Sequence, residues 1–243
     1  MRARTIWTAV AAPPQSRRAV VVATVLLAGL FIYLRPLTVF FGARKLYLLA
    51  IGMRGEAVQL GAHRIAYITG GEGPPLVHGV AMRGDDWAPL LRALTREHRV
   101  YALDLLGYGN SDKPEGAEYS IAQQSEIVRQ FLDAKQIGSA DIVGVSMGGW
   151  IAAKLAAEHP HRVKRLVLVS SAGFAYPNKL GESSFSPMTL KQLRESLRMQ
   201  TDQAERLPDF IARDFLRRSR QKSRVVRASM KAMLTGRDLV EGK

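Results

Sequence analysis

The chain has 243 residues, no cysteine and a net charge of +14. That length holds one large domain or two small ones, and 47% apolar with 23% charged residues excludes wholesale disorder; the lack of cysteine excludes disulfides, thiolate metal sites and a cysteine nucleophile. Residues 1–54 carry +8, residues 55–190 carry −1 and residues 191–243 carry +7, so the basicity sits at the two ends and argues against a nucleic-acid binder, whose basic face belongs to its folded core.

Ala19–Leu34 is free of charge and rich in Val, Leu and Ala. As a helix it spans ~24 Å, short of a ~30 Å hydrocarbon core, and Leu37–Phe41 extends it if Arg35 snorkels toward the headgroups. Pro36 kinks or ends the helix at that point. The run is longer than the ~7–15 apolar residues of a signal peptide, and no Ala-x-Ala site follows it. A buried core helix is the other alternative, but Arg2, Arg4, Arg17 and Arg18 make a topogenic flank, so residues 19–41 are read as a single-pass membrane anchor. Four basic residues precede the span and Arg35, Arg44, Lys45 and Arg54 follow it, so charge bias assigns no orientation. Ala43–Arg54 reads either as an amphipathic stretch at the interface, with Tyr47 at headgroup level, or as a linker helix packed on the domain.

From residue 56 onward strands and helices alternate. Val58–Leu60 and His63–Thr69 flank Gly61-Ala62 as a hairpin. Gly70–Pro75 is a turn, and Leu76-Val77 is a very short strand running into His78-Gly79. Asp85 or Asp86 caps a helix from Trp87 to Glu97, and Arg99–Leu103 is a strand ending at Asp104. Ser120 with Gln123 makes a capping box for a helix reaching Lys135. Asp141–Val145 is a strand, Gly148–Glu158 a helix stopped by Pro160, and Arg165–Val169 the next strand. Such alternation predicts a parallel sheet covered on both faces. After Gly173 the pattern turns helical: Ser186-Pro187 opens one helix ending near Met199, and Pro208 opens a second helical region that runs, whole or broken, to Leu234.

Gly144-Val145-Ser146-Met147-Gly148-Gly149 places G-x-S-x-G between an apolar strand and a helix. A serine on so tight a turn projects its hydroxyl from the sheet's carboxyl edge, and Gly144 and Gly148 let the backbone crowd without Cβ clashes. The Met147 N–H then lies at a helix N-terminus, where it can stabilise an oxyanion. His78-Gly79 ends an upstream strand, where Val80 N–H is the candidate second donor. Asp104-Leu105-Leu106-Gly107-Tyr108-Gly109-Asn110-Ser111 closes the strand after it. The Gly107-x-Gly109 pair is not a dinucleotide loop, because Asp112 stands where the third glycine belongs and no helix follows.

These three motifs, in this order over about residues 56–243, resemble the α/β-hydrolase superfamily of the AB hydrolase-1 type. The resemblance implies an α/β fold with a mostly parallel central sheet, flanking helices and a helical cap. With the charge and hydropathy of the N-terminus, it divides the chain into a basic arm (1–18), a transmembrane anchor (19–41), a linker or interfacial segment (42–55), a partial hydrolase core (56–172) and a helical cap region (173–243). Serine at the elbow, rather than the aspartate of epoxide- and halide-processing members, implies acyl transfer: ester, lipid or C–C bond hydrolysis, or acyl exchange. Ser146 is the implied nucleophile, Met147 and Val80 the oxyanion donors, and His78, Gly79, Gly144 and Gly148 the supporting turns. The implied partners are a small-molecule ester-like substrate and, through residues 19–41, membrane lipid. No metal, cofactor or nucleic acid is expected.

In this family a carboxylate and a histidine follow the cap. Of the five histidines, His63 lies in the hairpin, His98 precedes a strand on the sheet's far edge, His159 and His161 end the helix after the elbow, and His78 shapes the oxyanion turn. The expectation is therefore a truncated fragment that lacks its catalytic acid and base, as well as the last strands, and is nearly inactive alone. A non-catalytic, membrane-anchored binding protein is the alternative. Two further expectations are a Gly70–Pro75 turn drawn inward, because the strand before His78 is two residues short of the family's usual length, and a basic face on the last helix. That face comprises Arg213, Arg217, Arg220, Arg224, Arg227 and Lys231, leaving Phe210, Phe215, Val225 and Val226 to pack inward.

Overall fold

The computed structural model describes residues 14–80, 83–173, 185–199, 201 and 206–234. Arg2 and Arg4 of the basic arm, and parts of the expected cap at 174–184 and 235–243, lie outside them.

One local hairpin and a series of crossovers build a six-stranded sheet. Its strands are β1 (Arg54–Leu60), β2 (His63–Gly70), β3 (Pro75–Val80), β4 (Arg99–Asp104), β5 (Ala140–Val145) and β6 (Val163–Val169), in the spatial order β1-β2-β4-β3-β5-β6. β1, β2 and β4 pair antiparallel, while β4, β3, β5 and β6 run parallel, as expected of a mostly parallel sheet. β4 lies inside the sheet, so His98 precedes an interior strand and not an edge.

Period-two alternation sorts the side chains between two cores. Ile65, Tyr67, Tyr101, Leu103 and Ile142 face one side, under α4 (Ile121–Ala134) and α5 (Met147–Glu158). There Phe131 meets the Tyr67 and Tyr101 rings edge-on at 5.0 and 5.6 Å. Val100, Ala102, Ile68 and Val143 face the other side, under α3 (Ala88–Leu94) and α2 (Pro36–Ala50). The interior strands are thus covered twice. β6 is not: Leu166, Val167, Leu168 and Val169 are all exposed, so the expectation of cover on both faces fails for this strand among the described residues.

The strand expected at Leu76-Val77 is longer, because β3 takes in Pro75 and His78–Val80, and the turn before it packs closely on the segment leading into β4. A Cβ on Gly71 would lie 2.3 Å from His98 O, and one on Gly73 2.7 Å from Glu97 O. Both have positive φ, so glycine meets the steric and the conformational demand together.

The N-terminal apolar run is two helices rather than one. α1 (Pro14–Leu34) ends before Arg35, and Leu37–Phe41 belongs to α2. Pro36 occupies the first turn of α2, where a missing N–H costs nothing. The next amide, Leu37 N–H, donates to Asp214 Oδ2 at 3.0 Å. α2 is a packed helix, with Leu48 buried against Ala88, Leu91 and Val100. α1, in contrast, is exposed from Arg17 to Leu34; it is long and apolar enough to cross a membrane by length and composition, with mean hydropathy 1.8 over Arg17–Leu34.

Three helix ends differ from expectation. Gly84–Trp87 is a 3-10 turn that precedes α3, and Asp85 and Asp86 cap nothing because they pair with Arg44 and Arg83. α6 (Leu190–Arg198) starts after Thr189, not at Pro187, because Thr189 and Gln192 form a reciprocal capping box. α7 (Asp209–Leu234) is unbroken. On it Phe215 is exposed, and Phe210 stacks on Tyr33 of α1 at 5.2 Å, so neither packs on the sheet; Val225 does. Leu193 of α6 packs with Ala212 and Leu216 of α7 in a separate small core.

Candidate active site

The turn from β5 into α5 carries the strain that G-x-S-x-G anticipates. Ser146 has φ 52 and ψ −122, a conformation that costs a residue with a side chain roughly 1–3 kcal/mol. Several backbone bonds hold it there. Ser146 N–H donates to Val169 O at 3.0 Å, and Ser146 O accepts from Gly149, Trp150 and Ala172. The end of β6 therefore braces the elbow. A Cβ on Gly144 would sit 2.3 Å from Gly148 O, so only glycine fits where the strand passes under the turn.

Two supports escaped the motif reading. A Cβ on Gly149 would stand 2.6 Å from Ser171 Oγ, and one on Gly173 would stand 2.6 Å from Trp150 Cγ. The second glycine of the Gly148-Gly149 pair and Gly173 thus let the segment after β6 close over α5. The Gly-Gly-Trp run in the sequence is the signal that could have located them.

Met147 is the first residue of α5 and is buried, and a first-turn N–H has no intrahelical acceptor. Val80 closes β3 in register with Val145, the residue before Ser146, and with Asp104. His78 and Gly79 stand two and one positions back, opposite Val143 and Gly144. Pairing therefore brings Val80, Met147 and Ser146 to one edge of the sheet.

Asp104 braces the loop beside them. Its buried carboxylate accepts Gly84 N–H and Asn110 N–H, both at 2.7 Å. A Cβ on Gly109 would overlap that carboxylate at 2.1 Å, which explains the second glycine of D-x-x-G-x-G-x-S. Ser111 Oγ accepts Ala66 N–H at 2.8 Å and so ties the loop to β2. Burial, more than the two N–H bonds can offset, holds the Asp104 carboxyl above the usual carboxylate range. Gly107 leaves room for Tyr119 and for Val225 of α7.

Among the described residues no histidine or carboxylate bonds Ser146 Oγ. His63 begins β2, and His159 and His161 meet edge-on beyond the end of α5. His98 Nδ1 is buried without a partner at the opposite end of β4. Asp141 begins β5, near Arg165. A cavity of about 350 Å³ lies away from Ser146, between α2, β2 and Asp104.

The fold and the elbow together define a class. The family model described as "alpha/beta hydrolase fold" matches residues 76–240, and the chain belongs to that family. It is 38% identical over 130 residues to a 2-hydroxymuconate semialdehyde hydrolase of Pseudomonas sp. (strain CF600), covering 54% of this chain and 44% of that protein. It is 37% identical over 132 residues to a pimeloyl-[acyl-carrier protein] methyl ester esterase of Aliivibrio fischeri, covering 54% and 49%. The chain spans about half the length of these curated relatives. A solved membrane phospholipase A, described as a bacterial virulence factor, superposes with TM-score 0.70 at 27% identity, covering 91% of this chain and 75% of that one.

Proposed function

We propose that the chain is the anchored, nucleophile-bearing part of a serine hydrolase that cleaves a carboxylic ester or similar carbonyl compound. The observation that carries this reading is the strained Ser146 backbone, held by β6 at the sheet's carboxyl edge. Ser146 Oγ attacks the carbonyl carbon, and its proton passes to a base. The Met147 and Val80 N–H groups receive the oxyanion, aided by the positive end of α5. The base and its orienting carboxylate come from outside the described residues. α1 spans the membrane once and α2 lies on the domain, so the anchor proper is shorter than residues 19–41. An anchored enzyme meets esters presented by the bilayer, and the likeness to a membrane phospholipase A supports a lipid acyl ester.

Residues 1–243 alone should turn over p-nitrophenyl esters no faster than Ser146→Ala, apart from an oxyanion-hole residue on the order of 10³-fold over water. In the natural protein Ser146→Ala should lower kcat by on the order of 10⁶-fold. Robust turnover that ignores Ser146 would sink the nucleophile assignment. The second reading, an anchored binding protein, draws on the lack of a base at Ser146 among the described residues; it prevails if the natural protein holds ligand and hydrolyses nothing. Anchoring is tested separately: Val25→Arg with Leu26→Arg should release the chain on a carbonate wash, each charge at a span's centre costing about 3 kcal/mol.

A further inference from the structure

Where α1 meets α2, cations crowd around one aromatic ring. The guanidinium carbons of Arg44, Arg83 and Arg218 lie 4.7, 4.9 and 5.1 Å from the Phe41 centroid. They come from α2, from the segment before the 3-10 turn and from α7, so three distant parts of the chain converge. Lys222 lies one turn beyond Arg218 on α7, where Arg83 and Arg218 repel it, and Arg35 repels Arg218.

The nearby carboxylates are already engaged. Asp85 takes Arg83 at 2.8 Å and Arg44 at 3.1 Å, and Asp86 takes Arg44 at 3.0 Å. Asp214 is buried, accepts Leu37 N–H and pairs with Arg217. Arg218 Nε stands 3.9 Å from Asp214, beyond hydrogen-bond range, and is buried without a partner. Its Nη2 donates to Thr38 Oγ1 at 2.6 Å. No hydrogen bond or ion pair engages the Lys222 ammonium among the described residues.

Asp214 acts on Arg218, and Asp86 and Asp85 act on Lys222, but these three carboxylates face Arg35, Arg44, Arg83, Arg217, Arg218 and Lys222, so the cluster stays net positive. Desolvation holds both Arg218 and Lys222 below their usual pKa, despite the solvent contact that Lys222 retains; Asp214 opposes it on Arg218 while Arg217, Arg83 and Arg35 add to it, and Asp86 and Asp85 oppose it on Lys222 while Arg83 and Arg218 add to it. An anion received between them relieves that repulsion. Phosphate suits such a donor set, because a guanidinium binds it through directed N–H groups and an ammonium as a point charge. The place selects the source. Arg35 follows the last residue of α1, so a membrane holding α1 sets this cluster at headgroup depth.

We infer that Arg83, Arg218 and Lys222 form a site for the phosphate of a membrane-lipid headgroup at the elbow between α1 and α2, an inference that rests on reading α1 as a membrane span. Occupancy fixes the height and tilt of the domain on the bilayer, because the site joins α7 to the segment before the 3-10 turn, around Phe41 of α2.

The test uses residues 1–243 in dodecyl maltoside, which contains no phosphorus. Thermal unfolding is followed while short-chain phosphatidylglycerol, the diacylglycerol with the same chains, or inorganic phosphate is added. Phosphatidylglycerol should raise Tm saturably, diacylglycerol should not, and inorganic phosphate should bind at least about tenfold more weakly, since lipid is concentrated in the micelle. Lys222→Gln should weaken the lipid about tenfold, the scale of one charge-assisted bond. It should also raise the lipid-free Tm, because a repelled charge is gone. Arg218→Lys should bind more tightly than Arg218→Gln, and Arg213→Gln with Arg227→Gln, which remove exposed charges on the other stripe of α7, should change nothing. An equal response to diacylglycerol, equally tight free phosphate, or equal loss in the Arg213/Arg227 variant each overturns the site. Carbonate retention is measured in parallel: loss of the native chain from membranes condemns the reading of α1, whereas retention without a phosphate-dependent Tm shift condemns only this site.

Discussion

β4 and β6 are both apolar strands in the parallel part of one sheet, and they live in opposite surroundings. Val100 and Ala102 of β4 are fully buried on one face, and Tyr101 and Leu103 are buried on the other. On β6, Leu166 and Leu168 are each 37% exposed and Val167 and Val169 are 50% and 43% exposed. An apolar run alone therefore states that a strand can be covered, while the neighbours decide whether it is. Yet β6 holds the elbow, since Val169 O accepts Ser146 N–H. The least covered strand supports the most strained residue of the candidate site.

The contrast is broken most sharply by paired truncations. Leu103→Ala should cost about 2–5 kcal/mol in urea unfolding, whereas Leu168→Ala should cost less than about 1 kcal/mol. Equal losses would mean that β6 is covered in solution. At the end of β4, Asp104→Asn should cost about 1–3 kcal/mol, because the amide turns a donor toward Gly84 or Asn110 N–H. The pH dependence sharpens this. Asp104 is held above the ordinary value of 3.8, so the folded state binds more protons than the unfolded one just above about pH 4. Its contribution to stability therefore falls as pH rises through that window, and the Asn variant should lose this slope in unfolding measured across acid pH. The smallest effect belongs to β6: Val167→Lys should change stability by under about 0.5 kcal/mol while reducing self-association seen by light scattering. Unchanged association would show that this edge is not the sticky surface.

Features written in short stretches of sequence were legible, and features made by distant segments were not. The Gly61-Ala62 hairpin, the Ser120 cap and the elbow at Ser146 each need only neighbouring residues. Asp104 stood out as the first residue of its motif, but its partner Gly84 lies in another segment. Thr189 and Gln192 carried a capping signature in plain view, and Ser186-Pro187 outweighed it because proline is the louder punctuation. The exposure of Phe215, the Tyr33–Phe210 stack and the cations around Phe41 depend on how α7 lies across α1 and α2, for which periodicity offers no guide.

The bond from Leu37 N–H to Asp214 also has a history in time. The two residues are 177 positions apart, and a ribosome adds roughly 5–20 residues per second. The first turn of α2 is therefore made roughly 10–35 s before its acceptor exists. Through that interval water or another polar group must serve the amide, and the elbow can take its final shape only late in synthesis. Residues early in the chain thus wait on residues near its other end, and shortening the wait by refolding the finished chain should change the order in which α2 and α7 become protected from hydrogen exchange.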